Sequence, residues 1–385
     1  MIPGLHGFVA TLRRVGIDGG ALLLMVGAIG LYSVFYPLPY LEQVVRETPV
    51  GVVDLDRSSL SRQLVRWVDA HEAVRVALRA IDPAELEAAV QAGEISGYLV
   101  IPAGFRADVL RGRRVVVVYG GDADRFLVFK QVLGGLAEAT GTLSAGIEVR
   151  RLQAAGQTSG QALVAQGPVT LRLRPLFNTR ESYGSYLIPA VFMLLLQQTL
   201  LIGTGLIYGT DAASGGARAT AGLSRLEQLG RFMGSCLALV ALYAVHLAFH
   251  LGFCFWLFDV PRYGGALTLA VFAVPFLLAL VLFAQAIGGR CREREASIQI
   301  LLFTSIPFLF LAGFAWPLEL MPLPLRWLAQ LVPVTAGIQG FLRLNQMQAD
   351  FAEVGRWWWT LWGLCLLYAW PAWRNWRRVY GTPDA

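Results

Sequence analysis

The chain has 385 residues, of which 56% are hydrophobic and 15% charged, and its mean hydropathy is +0.54. This composition excludes an ordinary soluble protein and predicts an integral membrane protein with room for two structural units. The formal net charge of +6 would suit a nucleic-acid binder, but arginines beside apolar segments are explained more simply by membrane orientation. No nucleic-acid partner is therefore expected.

The residues before the first apolar segment carry an amphipathic pattern. Leu5, Phe8, Val9 and Leu12 would share one face of a helix, away from the two arginines that follow. The pattern predicts a cytoplasmic interfacial helix over residues 1–16, lying on the inner leaflet. The alternative interpretation is an unstructured tail.

Six apolar runs are long enough to cross a hydrocarbon core of roughly 30 Å. The first occupies residues 17–41, and no small-residue cleavage site follows it, so we expect an uncleaved anchor. The other five would form a membrane bundle over residues 179–374. They run over residues 184–208, 231–258, 265–289, 297–316 and 355–373. The predicted fold class is a mainly α-helical polytopic membrane protein with six transmembrane helices and one inserted domain.

Arginine is distributed unequally between the two ends of these runs. One end carries Arg13, Arg14, Arg218, Arg225, Arg231, Arg290, Arg292, Arg294, Arg374, Arg377 and Arg378. The short loops at the other end carry Arg262, Arg326, Arg343 and Arg356. Because positive charge is retained on the cytoplasmic side, both termini are expected in the cytoplasm, including a tail over residues 375–385. Residues 42–178 would then lie outside.

The segment over residues 42–178 alternates short apolar runs with amphipathic stretches. Strands are predicted over residues 50–53, 74–78, 97–101, 115–119 and 169–173. Helices are predicted over residues 58–70 and 82–92, with Ser58 and Asp82 as N-caps, and over 124–165, broken at its glycines. The segment is expected to be an extracytoplasmic α/β domain with long helices.

Two loops in this domain have a functional and a structural interpretation. Asp54 and Asp56 follow the first strand, where paired carboxylates would suit a divalent cation, but a turn into the next helix is favoured. The run from Gly120 to Asp124 favours a loop over a phosphate cradle, because the glycine spacing of such a cradle is missing. No metal site is predicted.

The sequence offers no energy source of its own. The single lysine, Lys130, does not follow a phosphate-binding loop, so the chain is not expected to be an ATPase. The five later runs contain no Asp or Glu, which leaves histidine for any proton relay. His246 and His250 stand one helical turn apart. Gln197, Gln198 and His246 are the candidates for a translocation path, with hydrogen bonding between helices as the alternative.

Several segments resemble the permeases of type-2 ATP-binding cassette exporters, in the multidrug-efflux branch with a large domain after the first span. Residues 49–64 resemble that branch's first external strand and helix, and the turn over residues 120–124 its later turn. Residues 174–178 are similar to its re-entry segment. The most specific similarity lies in residues 307–333, which contain Leu311-Ala312-Gly313-Phe314-Ala315-Trp316-Pro317.

The resemblance implies that two cytoplasmic loops dock on an ATPase. The ATPase-coupling residues would be Thr210, Asp211, Arg225, Glu227, Arg292, Glu293, Arg294 and Glu295. The first loop departs from the family pattern over residues 209–216, which implies a weakened or differently built contact. In the second loop, positive-inside bias is the alternative interpretation.

The resemblance also implies an outer cap over residues 317–354, above the exit of the path. Its marker residues are Trp316, Pro317, Met321 and Pro322. Independently of the resemblance, the prolines of this segment are expected to interrupt helix, and a short helix is expected to follow over residues 335–344. An ordinary loop is the alternative.

These expectations together describe the permease subunit of an ATP-driven exporter for a drug-like or amphipathic solute in a bacterial inner membrane. The implied partners are an ABC ATPase subunit that binds ATP and Mg, a second copy or a paralogous permease, membrane lipid, and a periplasmic adaptor with an outer-membrane channel. The chain itself would bind no cofactor. The alternatives are a gradient-driven secondary carrier and a non-transporting envelope receptor or assembly protein.

Overall fold

The computed structural model describes residues 3–41, 44–167, 176–179, 182–214, 222–291 and 293–381, without the side chains of residues 296, 297 and 300–302. The chain divides into two compact units. The helical unit comprises Met1–Gln43 with Pro175–Ala385, and the sheet unit comprises Val44–Arg174.

The helical unit opens with a helix and a first apolar span. Helix α1 is Pro3–Ile17, followed by α2 (Gly19–Leu22), a π-helical turn over Leu23–Gly27 and α3 (Ala28–Phe35). A short 3₁₀ helix over Leu38–Tyr40 follows. Asp18 caps α2, because its carboxylate accepts hydrogen bonds from the backbone N–H groups of the second and third helical residues.

The sheet unit contains a four-stranded sheet in the order β2-β1-β3-β4. The strands are β1 (Thr48–Asp54), β2 (Val74–Ala80), β3 (Gly97–Ile101) and β4 (Val118–Gly121). Strand β1 is parallel to β2 and β3, and β4 is antiparallel to β3. The helices are α4 (Ser59–Asp69), α5 (Pro83–Gln91), α6 (Phe105–Leu110), α7 (Phe126–Ala154) and α8 (Ser159–Gln166).

The apolar residues of β1 are buried on both faces of the sheet, which explains its continuous apolar run. Val50 and Val52 pack with Leu64 of α4 on one face, and Val53 packs with Leu86 of α5 on the other. The predicted caps are confirmed: the side chains of Ser58 and Asp82 accept backbone hydrogen bonds from the first turns of α4 and α5.

Three details of the sheet unit differ from the prediction or fall outside it. Strand β4 begins at Val118 rather than at residue 115, because its pairing with β3 starts there. Breaks in α7 at its internal glycines were wrongly predicted, since that helix continues for 29 residues. The break comes only at Gly156, whose φ of 93° favours glycine. The strand predicted over residues 169–173 lies outside the described residues.

The continuity of α7 has a packing cause. Its buried residues Val132, Leu136, Ala139 and Leu143 recur at helical spacing and join the core under the sheet. This burial exceeds the cost of about 1 kcal/mol for each interior glycine.

The carboxylates after β1 have the geometry of a turn. Asp54 Oδ1 accepts hydrogen bonds from the backbone N–H groups of Asp56 and Arg57, and its Oδ2 accepts one from the Ser61 hydroxyl at 2.7 Å. Asp56 Oδ2 accepts a hydrogen bond from the Arg106 backbone N–H. These contacts support the turn interpretation over the cation interpretation.

The rest of the helical unit consists of eight further helices in the described segments. They are α9 (Tyr183–Ala213), α10 (Arg225–Phe249), α11 (Phe255–Leu257), α12 (Ala266–Gly288), α13 (Arg294–Leu311), α14 (Leu323–Gln330), α15 (Pro333–Asn345) and α16 (Phe351–Tyr380). A second π-helical turn, His250–Cys254, joins α10 to α11. Helix α9 is buried along most of its length and forms the centre of the unit.

Four segments in the described part of the chain are long and apolar enough to cross a membrane. They are Gly19–Tyr40, Tyr183–Ala213, Arg225–Leu257 and Ala266–Gly288. Two of the six predicted spans, over residues 297–316 and 355–373, fall on α13 and α16, outside this set. Six spans therefore remain a prediction for those two helices.

Helix α1 packs closely along α10. A Cβ on Gly7 would overlap the Arg231 carbonyl group, and a Cβ on Gly234 would overlap the Gly4 carbonyl group. Small residues at a helix crossing allow the two backbones to approach, as in membrane helix pairs. The amphipathic segment is therefore a helix, and it is held against the bundle on its glycine-containing face while Leu5 and Val9 remain exposed.

Candidate functional site

A group of charged and polar side chains joins several helix ends of the helical unit. We call it the arginine–aspartate cluster, and its members are Arg14, Asp18, Thr210, Asp211, Arg294 and Tyr380. The members come from residues before the first span, from the end of α9, from the start of α13 and from the end of α16. The cluster thus ties together segments that are far apart in the sequence.

One half of the cluster is built around Arg294. Its Nη1 donates to Asp18 Oδ2 at 2.6 Å and its Nη2 donates to Asp18 Oδ1 at 2.8 Å, a bidentate geometry. The same Nη1 also donates to Thr210 Oγ1 at 2.8 Å. Arg294 thereby connects Asp18, directly before the first span, with the end of α9 and the start of α13.

The Asp18 carboxylate is strongly favoured in its ionised form. Hydrogen bonding to Arg294, with the capping N–H groups of α2 and against a smaller effect of burial, lowers its pKa from 3.8 to about 2. The same contact raises the pKa of Arg294. Both groups are charged at physiological pH, so the pair is a fixed ionic link.

The other half of the cluster is built around Asp211. Arg14 Nε lies 3.2 Å from Asp211 Oδ2, and the Tyr380 hydroxyl donates to the same oxygen at 2.6 Å. The Arg14 guanidinium also stands over the Tyr380 ring, 4.5 Å from its centroid. These contacts join α1 to the ends of α9 and α16.

The structure brings three of the eight predicted coupling residues together, namely Thr210, Asp211 and Arg294. Arg225 and Glu227 lie in the first turn of α10, where Glu227 completes a capping box with Ser224. The remaining three were predicted in the second loop. Glu293 is the N-cap position of α13, Glu295 lies in the first turn of α13, and Arg292 falls outside the described residues.

The glutamines of the predicted path lie in the buried centre of the unit. Gln197 Oε1 accepts a hydrogen bond from the Val334 backbone N–H at 3.0 Å, and Gln198 Nε2 donates to Ser305 Oγ at 2.9 Å. The other amide atom of each glutamine, Nε2 of Gln197 and Oε1 of Gln198, is buried without a hydrogen-bond partner among the described residues. Each glutamine therefore connects α9 to a neighbouring element and keeps one unused polar atom.

His246 of α10 and His250 of the second π-helical turn face the first span. His250 Nε2 lies 2.8 Å from Ser33 Oγ, and its ring stacks on Phe192 at a centroid distance of 4.3 Å. His246 hydrogen-bonds with the backbone of Met25, which lies in the first π-helical turn. In the described part of the chain, His246 Nε2 and His250 Nδ1 have no hydrogen-bond partner. Both histidines therefore connect helices. Each contact involves a π-helical turn, the first through Met25 and the second through His250 itself.

The turn just before the predicted outer cap is hydrogen-bonded to α9 and to α15, a helix within the cap. The Tyr186 hydroxyl of α9 donates to the Phe314 carbonyl, and Gln339 Nε2 of α15 donates to the Gly313 carbonyl at 3.2 Å. Gly313 itself has a φ of 77°, which ends the preceding turn. The cap markers are mostly at the surface: Trp316, Pro317 and Pro322 are exposed and Met321 is half-buried.

A family model described as ABC-2 family transporter protein matches residues 21–374. The chain belongs to the ABC-2 transporter family. No curated protein matches it. As an ABC-2 permease it is a multi-pass membrane component of a transporter, works with an ABC ATPase subunit and is not itself an enzyme.

The family match covers the buried polar residues and three cluster members, Thr210, Asp211 and Arg294. The other three members, Arg14, Asp18 and Tyr380, lie outside the matched residues. Those three members were also missed by sequence reasoning. The available signal was a lone aspartate directly before an apolar run, which is an N-cap position with a charge to neutralise.

Proposed function

We propose that this ABC-2 permease is the membrane subunit of an ATP-driven exporter that forms the path for a drug-like or amphipathic solute. The observation that carries the proposal is the arginine–aspartate cluster. Arg294 starts the helix after one loop, Thr210 and Asp211 precede the other, and both loops are those expected to meet the ATPase. Closure of the ATPase would act on the cluster and, through it, on four helices.

The proposed path runs beside α9. Gln197 and Gln198 each have an unused buried polar atom, and His246 has an unused ring nitrogen. In an apolar interior, such atoms are costly unless they acquire a partner in another state of the protein. An amphipathic solute could supply that partner, which is the reason for placing it there.

The assembly we propose is a dimer of permease subunits, two copies or a pair of paralogues, in a bacterial inner membrane with both termini in the cytoplasm. The sheet unit would be the periplasmic domain that receives substrate or engages an adaptor and an outer-membrane channel. The ATP and Mg would bind only to the ATPase. The arginine distribution supports this orientation.

The test is export and ATP hydrolysis by the complex purified from native membranes and reconstituted in proteoliposomes. Arg294→Ala and Asp211→Asn should separate the two activities, so that ATP is hydrolysed with little export. The matched control Arg374→Gln removes an exposed arginine outside the cluster and should leave both unchanged. Export at the wild-type rate by well-assembled cluster variants would contradict the proposal.

A gradient-driven carrier predicts a different pattern, because it draws on histidine and not on an ATPase. Efflux would then persist after ATP depletion and collapse when His246 and His250 are both replaced by phenylalanine. Efflux that requires ATP and continues after the proton gradient is dissipated would support the exporter instead.

A further inference from the structure

A cavity of about 670 Å³ opens beside α1 and adjoins the arginine–aspartate cluster. We call it the α1 cavity. His6, Val9, Arg13 and Ile17 of α1 line it, and Ile207 of α9 lies opposite. Arg14, Asp18 and Asp211 of the cluster line it too, so its wall combines three basic side chains and two carboxylates with aliphatic ones.

The charges around the α1 cavity leave an excess of positive charge. The two acidic residues on its wall, Asp18 and Asp211, already have cationic partners in Arg294 and Arg14. Arg13 is exposed and has no hydrogen-bond or ion-pair partner in the part of the chain that the structure describes. An anion at this position would face Arg13 and His6, while both carboxylates on the wall are already held in ion pairs.

The aliphatic side of the α1 cavity lies where apolar spans end. The first span begins at Gly19, two residues after Ile17, and the second candidate span ends at Ala213, six residues after Ile207. Phospholipid headgroups occupy this level of a bilayer. Val9 is 51% exposed and Ile17 is 71% exposed, beside the cation. An unpaired cation next to exposed aliphatic side chains suits an anionic amphiphile.

We propose that the α1 cavity binds an anionic phospholipid of the leaflet on that side. The phosphate would lie against Arg13 and His6, and the upper acyl chains against Val9, Ile17 and Ile207. The lipid would hold α1 beside the arginine–aspartate cluster, since Arg14 of the same helix belongs to that cluster. The inference needs only the membrane spans and α1, so it stands apart from the proposed exporter function.

The test is lipid retention by the full-length protein, purified in mild detergent and measured by native mass spectrometry. Phosphatidylglycerol and phosphatidylcholine of matched chain length are added in equal amounts. We expect the wild type to retain phosphatidylglycerol preferentially. Because one basic residue near a membrane surface contributes about fivefold to anionic-lipid binding, Arg13→Gln should lower that preference about fivefold. His6→Gln with Arg13→Gln should lower it further.

Two variants separate binding from folding and from bulk charge. Arg13→Lys keeps the charge and should retain most of the preference. Arg290→Gln removes another exposed arginine that does not line the cavity, and should leave the preference unchanged. Equal loss in Arg13→Gln and Arg290→Gln, or no loss in the double variant, would overturn the proposal.

Inorganic phosphate distinguishes the headgroup from a free anion. Excess phosphate should fail to displace phosphatidylglycerol, because it gains nothing from the aliphatic wall. Full displacement by phosphate, or Arg13-dependent thermal stabilisation by phosphate without lipid retention, would assign the site to a free anion and refute the lipid proposal.

Discussion

Replacing Asp18 separates two roles that one carboxylate performs. It caps α2 through the N–H groups of Gly20 and Ala21, and it receives a bidentate contact from Arg294. Asp18→Asn keeps an oxygen for the cap and removes the charge, whereas Asp18→Ala removes both. The difference between these two variants therefore measures the cap, and the Asn variant measures the ionic link.

The magnitude follows from the pKa of Asp18, which falls from 3.8 to about 2. At roughly 1.4 kcal/mol per unit, the full shift corresponds to about 2 kcal/mol. Part of this shift comes from the capping N–H groups, and the Arg294 side chain is 39% exposed, so we expect the ionic link to contribute about 1 kcal/mol. Loss of the cap adds about 1 kcal/mol, so Asp18→Ala should cost about twice as much as Asp18→Asn.

The assay is the apparent unfolding temperature of the purified protein, measured in a double-mutant cycle with Arg294→Gln. The Asp18→Asn and Arg294→Gln effects should not add, because each removes the same contact. Since the folded-state pKa of Asp18 is lowered, the link stabilises the protein fully above pH 4 and is lost as the pH falls towards 2. Additive effects of the two single variants, or equal effects of Asn and Ala at position 18, would refute the reasoning.

Three further predictions concern packing and buried hydrogen bonds. Gly146→Ala should stabilise α7 by about 0.5–1 kcal/mol and slow its hydrogen exchange, since a Cβ at this position meets nothing within 4 Å. Gly156→Ala should destabilise the protein by a similar amount and speed hydrogen exchange in α7, because the φ of Gly156 is 93°. Gly234→Val should detach α1 from α10, seen as protease cleavage before the first span, and an unchanged digest would contradict the overlap with the Gly4 carbonyl. Ser33→Ala should lower the apparent unfolding temperature by the equivalent of about 1–3 kcal/mol, because the buried His250 Nε2 loses its partner. Adding His250→Phe to this variant should recover part of the lost stability rather than increase the loss.

Local sequence signals account for the elements and for little of the site. Apolar runs predict the strands β1, β2 and β3. The caps follow from Ser58 and Asp82, whose side chains bond to backbone N–H groups no more than three residues away. The continuity of α7 depends on a buried stripe that meets the sheet, and no count of its glycines could reveal that. Helix propensity therefore failed as a guide where tertiary burial stabilises the helix by more than its glycines destabilise it.

The arginine–aspartate cluster shows why functional residues were only partly found. Thr210, Asp211 and Arg294 were singled out as members of loops, but their partners at positions 14, 18 and 380 lie in other parts of the chain. No spacing rule connects an aspartate before the first span with a tyrosine at the end of α16. The helix ends must first assemble before the charges can pair, so the cluster is a product of the bundle. For the same reason, the strength of its ionic links depends on the relative positions of these helix ends. If the coupling energy between two cluster residues changed when an ATPase subunit bound, the helix ends that carry those residues would be identified as the ones that move.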